Sequence, residues 1–268
     1  MTTIVIYGKP ALHWEDALSS KSSLWSSIDG NPSVLVGRDN KKIRAIEDKI
    51  VIPLQEDDIL NCPFECLKPD NETIKVFQNK IYFKDFLRLN DINNYAQDYT
   101  LENVEFPVIL KRVDLVKGKG VFLINNMEQL KRQLSKPIFL NQKYIIEKYI
   151  PTDFEPVTWM VCKDGQVIWH RSLQWSKSNS PIIKLGAEPG GIEYNPDEAT
   201  IELFKQIVKI SNYSGPITIN YKMFESRPVI FEVNPRLGGT LMLRDNRNLL
   251  IEAISTIIKI SGNLKEPS

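Results

Sequence analysis

At 268 residues the chain can bury a substantial core and form one to three subdomains. Its 34 Lys and Arg balance 33 Asp and Glu, which gives no basis for expecting nucleic acid or an anionic membrane as partner. The 42% hydrophobic content is that of a globular protein, no apolar run approaches a membrane span, and the first residues read as a strand rather than a signal peptide.

The elements alternate from the start. Residues 4–7 read as a strand and residues 14–28 as a weakly amphipathic, Ser-rich helix. Residues 33–37 and 49–54 are two more strands, the second closed by the acidic run Gln55-Glu56-Asp57-Asp58. This order favours a parallel sheet, and no Gly-x-Gly-x-x-Gly follows the first strand, so a dinucleotide fingerprint is absent. A helix over 79–89 sets Ile81, Phe83, Phe86 and Leu87 against basic Lys80, Lys84 and Arg88. After a polar connector at 91–99, a compact unit follows: strand 106–111, glycine loop 116–120, strand 121–124, a helix from the Asn126 cap to about 134, and strand 143–149. It reads as a small lid.

The last region opens with a hairpin, 157–162 and 166–171, around Lys163-Asp164-Gly165. Residues 176–191 read as a loop containing Pro181, Gly186, Pro189 and the Gly190-Gly191 pair. Asn195-Pro196-Asp197-Glu198 reads as a helix start with Asn195 as cap and Pro196 at the first position. That helix runs to about 211. A second hairpin (216–224, 228–234) and an apolar helix (248–261) complete the chain. The three cysteines, Cys62, Cys66 and Cys162, are sparse and odd in number, which fits reduced thiols and a cytoplasmic location. The histidines, His13 and His170, read as structural or surface groups.

The richest stretch is Glu232-Val233-Asn234-Pro235-Arg236. Side chains two apart on a strand share a face, so Glu232 and Asn234 present hard oxygen ligands together, suited to Mg²⁺ carrying a nucleotide phosphate. Arg236 leaves the strand beside them, placed to stabilise developing negative charge. A polar edge strand ending in a Pro-Gly turn is the other reading of these residues alone. Asn220, on the partner strand with Thr218 and Lys222, would add a third oxygen ligand. Lys111 closes an apolar strand where it would meet a phosphate, and Lys117-Gly118-Lys119-Gly120 lets backbone amides approach one. Glu147-Lys148-Tyr149-Ile150 reads as a hinge for an adenine edge, with Glu147 accepting from its amino group. Glu155, or alternatively Asp153, would hold ribose hydroxyls.

In their order and spacing these motifs, with Asn79-Lys80 opening a helix, resemble the ATP-grasp superfamily of ATP-dependent carboxylate–amine and carboxylate–thiol ligases. The resemblance covers roughly residues 75–262. It implies an α+β / α/β protein: two α+β subdomains clasping ATP, preceded by a short Rossmann-like N-terminal α/β domain. The implied boundaries are 1–72 for the N-terminal domain, 73–97 for a linker helix, 98–150 for the lid and 151–268 for the C-terminal subdomain with the metal site. Lys80 and Lys111 would hold ATP phosphates, Gly118 to Val121 would close over them, and Glu232, Asn234 and Asn220 would bind Mg²⁺ or Mn²⁺. Arg236 would stabilise an acyl phosphate, with Arg171 reaching the γ-phosphate. Asn220 is an amide where the family commonly has an acid.

The implied activity is amide-bond formation from a small-molecule or peptide carboxylate and an amine, releasing ADP and phosphate. The alternatives are a phosphotransferase on the same fold and a nucleotide-binding module without ligase activity.

Overall fold

The computed structural model describes residues 2–11, 14–115, 119–176 and 191–262. The expected loop residues Lys117, Gly118, Pro181, Gly186, Pro189 and Gly190, and His13, lie outside them. Strands β1 (Thr3–Tyr7), β2 (Ser33–Gly37) and β3 (Lys49–Pro53) form a parallel sheet ordered β2-β1-β3. Both faces are covered, as a parallel sheet requires: Ile4 and Ile6 join one core, Val5 and Tyr7 another.

The expected helix over 14–28 is a correction. It splits into α1 (Glu15–Leu18) and a 3₁₀ turn at Trp25–Ser27. Serines compete for the backbone there: Ser22 Oγ accepts from the Leu24 amide at 3.3 Å, and Trp25 Nε1 donates to the Ser19 carbonyl at 2.7 Å. Helices α2 (Asn40–Arg44), α3 (Glu56–Asn61) and α4 (Asn71–Phe77) follow. Helix α5 (Lys80–Leu89) starts where Asn79 accepts from the amides of Ile81 and Tyr82.

The lid is an antiparallel sheet ordered β4-β7-β5-β6, from β4 (Asp98–Tyr99), β5 (Val108–Arg112), β6 (Val121–Ile124) and β7 (Tyr144–Lys148). Helix α6 (Met127–Leu134) covers it around Leu130, Val108 and Ile146. The connector expected at 91–99 thus contributes the edge strand β4.

The third sheet is ordered β10-β9-β8-β11-β12: β8 (Phe154–Lys163), β9 (Gln166–Ser176), β10 (Ile192–Glu193), β11 (Gly215–Phe224) and β12 (Arg227–Asn234). Both hairpin turns place two residues at positive φ, Asp164 and Gly165 in one, Glu225 and Ser226 in the other. Helix α7 (Glu198–Ile210) is capped by Asp197, which accepts from the Thr200 amide at 2.8 Å, not by Asn195. One face of this sheet packs on α5 and α7 through Met160, Phe204, Ile219 and Tyr221. The other packs on α8 (Arg247–Gly262) and the N-terminal sheet through Trp159, Trp175, Ile254 and Ile6. The N-terminal sheet therefore shares a core with the C-terminal subdomain.

Pairing of β11 with β12 slips by one residue. Thr218 faces Asn234 and Asn220 faces Glu232, but Tyr221 faces Ile230. The extra residue is Phe231. It reverses the alternation of β12, so Val229 and Phe231 before the bulge and Glu232 and Asn234 after it all line one cavity, while Ile230 and Val233 enter the core.

At the end of β1, Gly8 has φ +137°, and a Cβ there would lie 2.3 Å from Asp58 Oδ2. Asp58 is buried, accepts from Arg38 Nε at 2.7 Å and from the Gln55 amide at 3.2 Å, and so fixes the start of α3. Gly8→Ala is expected to destabilise the protein by about 2–3 kcal/mol, read from the urea midpoint. A loss under about 0.5 kcal/mol, typical of an unconstrained surface position, contradicts this account.

Candidate active site

A cleft of about 1640 Å³ lies between the lid sheet and the β8–β12 sheet, large enough for a nucleotide together with a second ligand. Helix α5 brings Lys80 to it, β5 brings Lys111, β7 and the chain after it bring Glu147, Lys148 and Ile150, and β8 brings Glu155. From the opposite wall come Asn220, Lys222, Glu232, Asn234 and Arg236. The structure thus collects most of the candidate residues in one place.

On the β11–β12 wall, the oxygen donors sit side by side. Asn220 Oδ1 is buried and has no hydrogen-bond partner, directly across the ladder from Glu232. Leaving such an acceptor dry and unpaired is costly, roughly 1–3 kcal/mol, which makes it a candidate partner for a ligand or a water in the cleft. Glu232 receives Lys80 Nζ at 3.4 Å, and Asn234 Oδ1 accepts from Arg236 at 3.3 Å. Among the described residues no group of three or more His, Cys, Asp and Glu forms a metal cage. The donors here are instead one carboxylate and two amides, and this all-oxygen set fits a hard cation such as Mg²⁺.

The lid side is organised by Glu147. It is buried on β7, with one carboxylate oxygen on Lys84 Nζ at 2.5 Å and the other on Lys111 Nζ. Burial opposes its charge, but Lys111 and Lys84 prevail and hold the carboxyl below its ordinary range. Both Glu147 oxygens of the expected hinge serve lysines. The Lys148 amide donates to the Gln97 carbonyl at 2.8 Å, and the Tyr149 amide to the Pro107 carbonyl at 3.3 Å. Tyr149 carries Lys222 Nζ 5.7 Å from its ring centroid, which ties the hinge to β11. Lys111 Nζ lies 5.8 Å from the Phe231 ring centroid, spanning the cleft.

Of the two acids weighed for ribose, Glu155 lines the cleft and is buried, whereas Asp153 is exposed. In the described part of the glycine loop, Lys119 is exposed and Gly120, at φ +70°, closes onto Arg112.

Arg171 is a second correction. It stands on the α8 side of the sheet opposite Trp159 and pairs with Glu252 at 2.9 Å, so its side chain does not reach the cleft. Two groups in the site escaped the sequence reading. Glu56, at the start of α3, accepts from Arg236 Nε at 2.8 Å, while the Arg236 guanidinium lies 5.7 Å from the Trp14 ring centroid. Lys84 is the other. The signals were present: Glu56 follows a parallel strand at its C-terminal end, where ligands gather in such sheets, and Lys84 is one helical turn from Lys80.

A family model for the ATP-grasp domain matches residues 75–241. The chain belongs to the ATP-grasp family. The match spans Lys80, Lys111, Glu147, Glu155, Asn220, Glu232, Asn234 and Arg236, whereas Trp14 and Glu56 precede it. Among solved structures, this ATP-grasp chain is similar to D-alanine–D-alanine ligase from Bacillus anthracis complexed with ATP (TM-score 0.63, 14% identity, 98% of each chain). It is also similar to a biotin carboxylase complex with β,γ-ATP from Campylobacter jejuni (TM-score 0.66, 15% identity, all of this chain and 72% of that one). A third is phosphoribosylamine–glycine ligase from Thermotoga maritima (TM-score 0.63, 17% identity, 90% and 70%). At these identities the likeness is one of fold. A comparison with curated proteins finds no match.

Burial pushes the Glu155 carboxyl up to about 8, with Glu232 adding to the shift and Lys222 and Lys111 opposing it. The folded protein then keeps a proton that the unfolded chain loses above its ordinary 4.5, so stability falls as pH rises between these values. Glu155→Gln removes the penalty. Thermal melts of the unliganded protein should show the variant gaining on the parent from about pH 5 to about pH 8.5. A difference independent of pH counts against a neutral Glu155.

Proposed function

We propose that the protein is an ATP- and Mg²⁺-dependent ligase that activates a carboxylate as an acyl phosphate and couples it to an amine. The observation that carries this reading is the facing of two walls. Lys111 stands across one cleft from Glu232, Asn234 and the unpartnered Asn220 Oδ1, and Lys80 reaches Glu232 from α5 at 3.4 Å. Polyphosphate with a hard cation is the ligand that satisfies both walls. The fold neighbours support it: two are ligases by name and two hold ATP or an analogue.

In this reading Lys111 and Lys80 hold phosphate oxygens, the Lys148 carbonyl and Ile150 amide meet the adenine edge, and Glu155 meets ribose. Glu232, Asn234 and Asn220 would hold Mg²⁺, which when bound neutralises phosphate charge as it shifts during transfer. Lys80, now 3.4 Å from Glu232, would then turn its ammonium to phosphate. Arg236 holds the substrate carboxylate beside the γ-phosphate. A carboxylate oxygen bonds to the γ-phosphorus as the bond to the β,γ-bridging oxygen breaks, and ADP leaves. The amine, its ammonium proton passed to solvent, then bonds through nitrogen to the acyl carbon, the nitrogen loses a further proton to solvent, and phosphate departs. Positioning and electrostatics supply the catalysis, and the lid excludes water that would hydrolyse the intermediate.

Glu56 and Asp57 line the end of the cleft next to Arg236 and give the amine, arriving as an ammonium, a carboxylate to meet. The substrates are therefore small molecules with a free carboxylate and a free amine. Free thiols at Cys62, Cys66 and Cys162 support a cytoplasmic location.

Protein supplied with ATP, Mg²⁺ and pooled carboxylates and amines should release ADP and phosphate only when both pools are present. Lys111→Met and Glu232→Gln should each lower that turnover by about a hundredfold or more, the range for losing one charge stabiliser. AMP and pyrophosphate as the products would sink the acyl-phosphate route. A stable phosphorylated product formed without amine would identify a phosphotransferase instead.

A further inference from the structure

Lys84 has no place in the chemistry above, yet it is among the most thoroughly engaged side chains of the molecule. It projects from α5 into the lid and is 6% exposed. Its ammonium meets Glu147 Oε1 at 2.5 Å, Asp98 Oδ1 at 2.6 Å and the Ala96 carbonyl at 3.2 Å. An ammonium has three N–H donors, so these three acceptors saturate it and it has none left for a ligand. Glu147 is equally committed, with Lys84 on one oxygen and Lys111 on the other. Lys111 and Glu147 border the cleft, and Lys84 does not.

Two buried cations thus share one buried carboxylate. Were Glu147 to face Lys111 alone, the pair would cancel, and the carboxylate would hold the ammonium back from the phosphates. With Lys84 drawing on the same carboxylate, Lys111 keeps much of its charge for the cleft. We propose that Lys84 is a positioning residue: by occupying one oxygen of Glu147 it sets the direction and the unshared charge with which Lys111 meets a nucleotide phosphate. The inference rests on the nucleotide reading above. It has a consequence that a purely structural lysine lacks. Loss of Lys84 should weaken binding of the phosphates and leave the nucleoside alone, because Lys111 addresses only the former.

The test compares two probes, ATP with Mg²⁺ and adenosine, by calorimetry and competition NMR on the full chain. Lys84→Met should weaken ATP by about tenfold or more while adenosine shifts by less than about twofold, the scale of losing part of one charge-assisted contact. Lys84→Arg, which keeps the charge, should stay nearer the parent in the ratio of the two affinities. Equal weakening of both probes, or of neither, overturns the proposal. If Lys84→Met does not fold, Glu147→Gln and the double variant K84M/E147Q carry the same question with the buried carboxylate neutralised. Equal ATP-to-adenosine ratios in these two support action through Glu147, and a further selective loss of ATP in the double variant overturns it. A parent protein that binds neither probe overturns the nucleotide reading and this inference together. Binding of ATP by the parent without a selective loss in the variants removes the inference alone.

Discussion

One additional residue in β12 decides which way Glu232 and Asn234 face. Without the slip between Asn220/Glu232 and Tyr221/Ile230, strict alternation from Val229 and Phe231 would carry Val233 into the cleft and turn Glu232 and Asn234 toward α5 and α7. A carboxylate in that aromatic core, beside Phe204 and Tyr213, would be buried without a partner at a cost of several kcal/mol. The bulge resolves the conflict between a strand that must bury Ile230 and Val233 and one that must present Glu232 and Asn234. The tight turn at Glu225 and Ser226 fixes where the pairing begins, and Thr218 Oγ1 donating to the Arg236 carbonyl at 3.1 Å fixes where it ends. Arg236, Asn234 and Glu232 are then set by one local backbone path.

The opposite wall is built on charge rather than on register. Burying Lys84, Glu147 and Lys111 together is expensive, and hydrophobic residues of similar volume would often serve stability as well. The arrangement makes sense as geometry. Glu147 joins α5 to the lid sheet through Lys84, and the same carboxylate orients Lys111 on the neighbouring strand, where Glu147 faces Ile109 in the ladder. The outer end of the chain of charges, Asp98 with Arg88, is half in solvent and sits beside Tyr95, whose ring centroid lies 5.1 Å from the Arg88 guanidinium. Lid and helix are thereby held in one relation at the point where Lys80 leaves α5 for the cleft.

What the sequence made readable follows from this division. Local patterns carried the three sheets: continuous apolar runs in β1 and β3, turn residues at Asp164-Gly165, and a capped amphipathic α5. Glu232, Asn234 and Arg236 were legible because a strand face and a proline stop are local too. Arg171 was not, because the side of a five-stranded sheet on which a residue falls depends on which helices cover each face, and Glu252 of α8 is far away in sequence. Lys84 resembled one member of a solvated basic stripe with Lys80 and Arg88. Only the approach of β4 and β7 to α5 shows that this stripe faces acids across a buried interface. The bulge at Phe231 leaves no composition signal at all.

The substrate side of the cleft obeys different constraints from the nucleotide side. Under the proposed function Lys80, Lys111 and the β11–β12 oxygens would serve groups common to every nucleotide, and they come from elements within the matched domain. Glu56 and Trp14 come from the segment before it, yet they are not carried on an independent body. Ile4, Ile6 and Trp25 lie in the same core as Trp159 and Ile254, so the end of β3 is held against the β8–β12 sheet by continuous packing. Gly238 shows how close the fit is: a Cβ there would lie 2.4 Å from Trp159 Nε1. Arg236 therefore sits between two neighbours, Asn234 at the end of β12 and Glu56 at the start of α3. An anionic substrate can compete with Glu56 for the guanidinium, and a cationic one can take Glu56 once it is released. Under the proposed function that exchange would favour a carboxylate and an amine together over either alone, with Glu56 and Arg236 selecting the substrate.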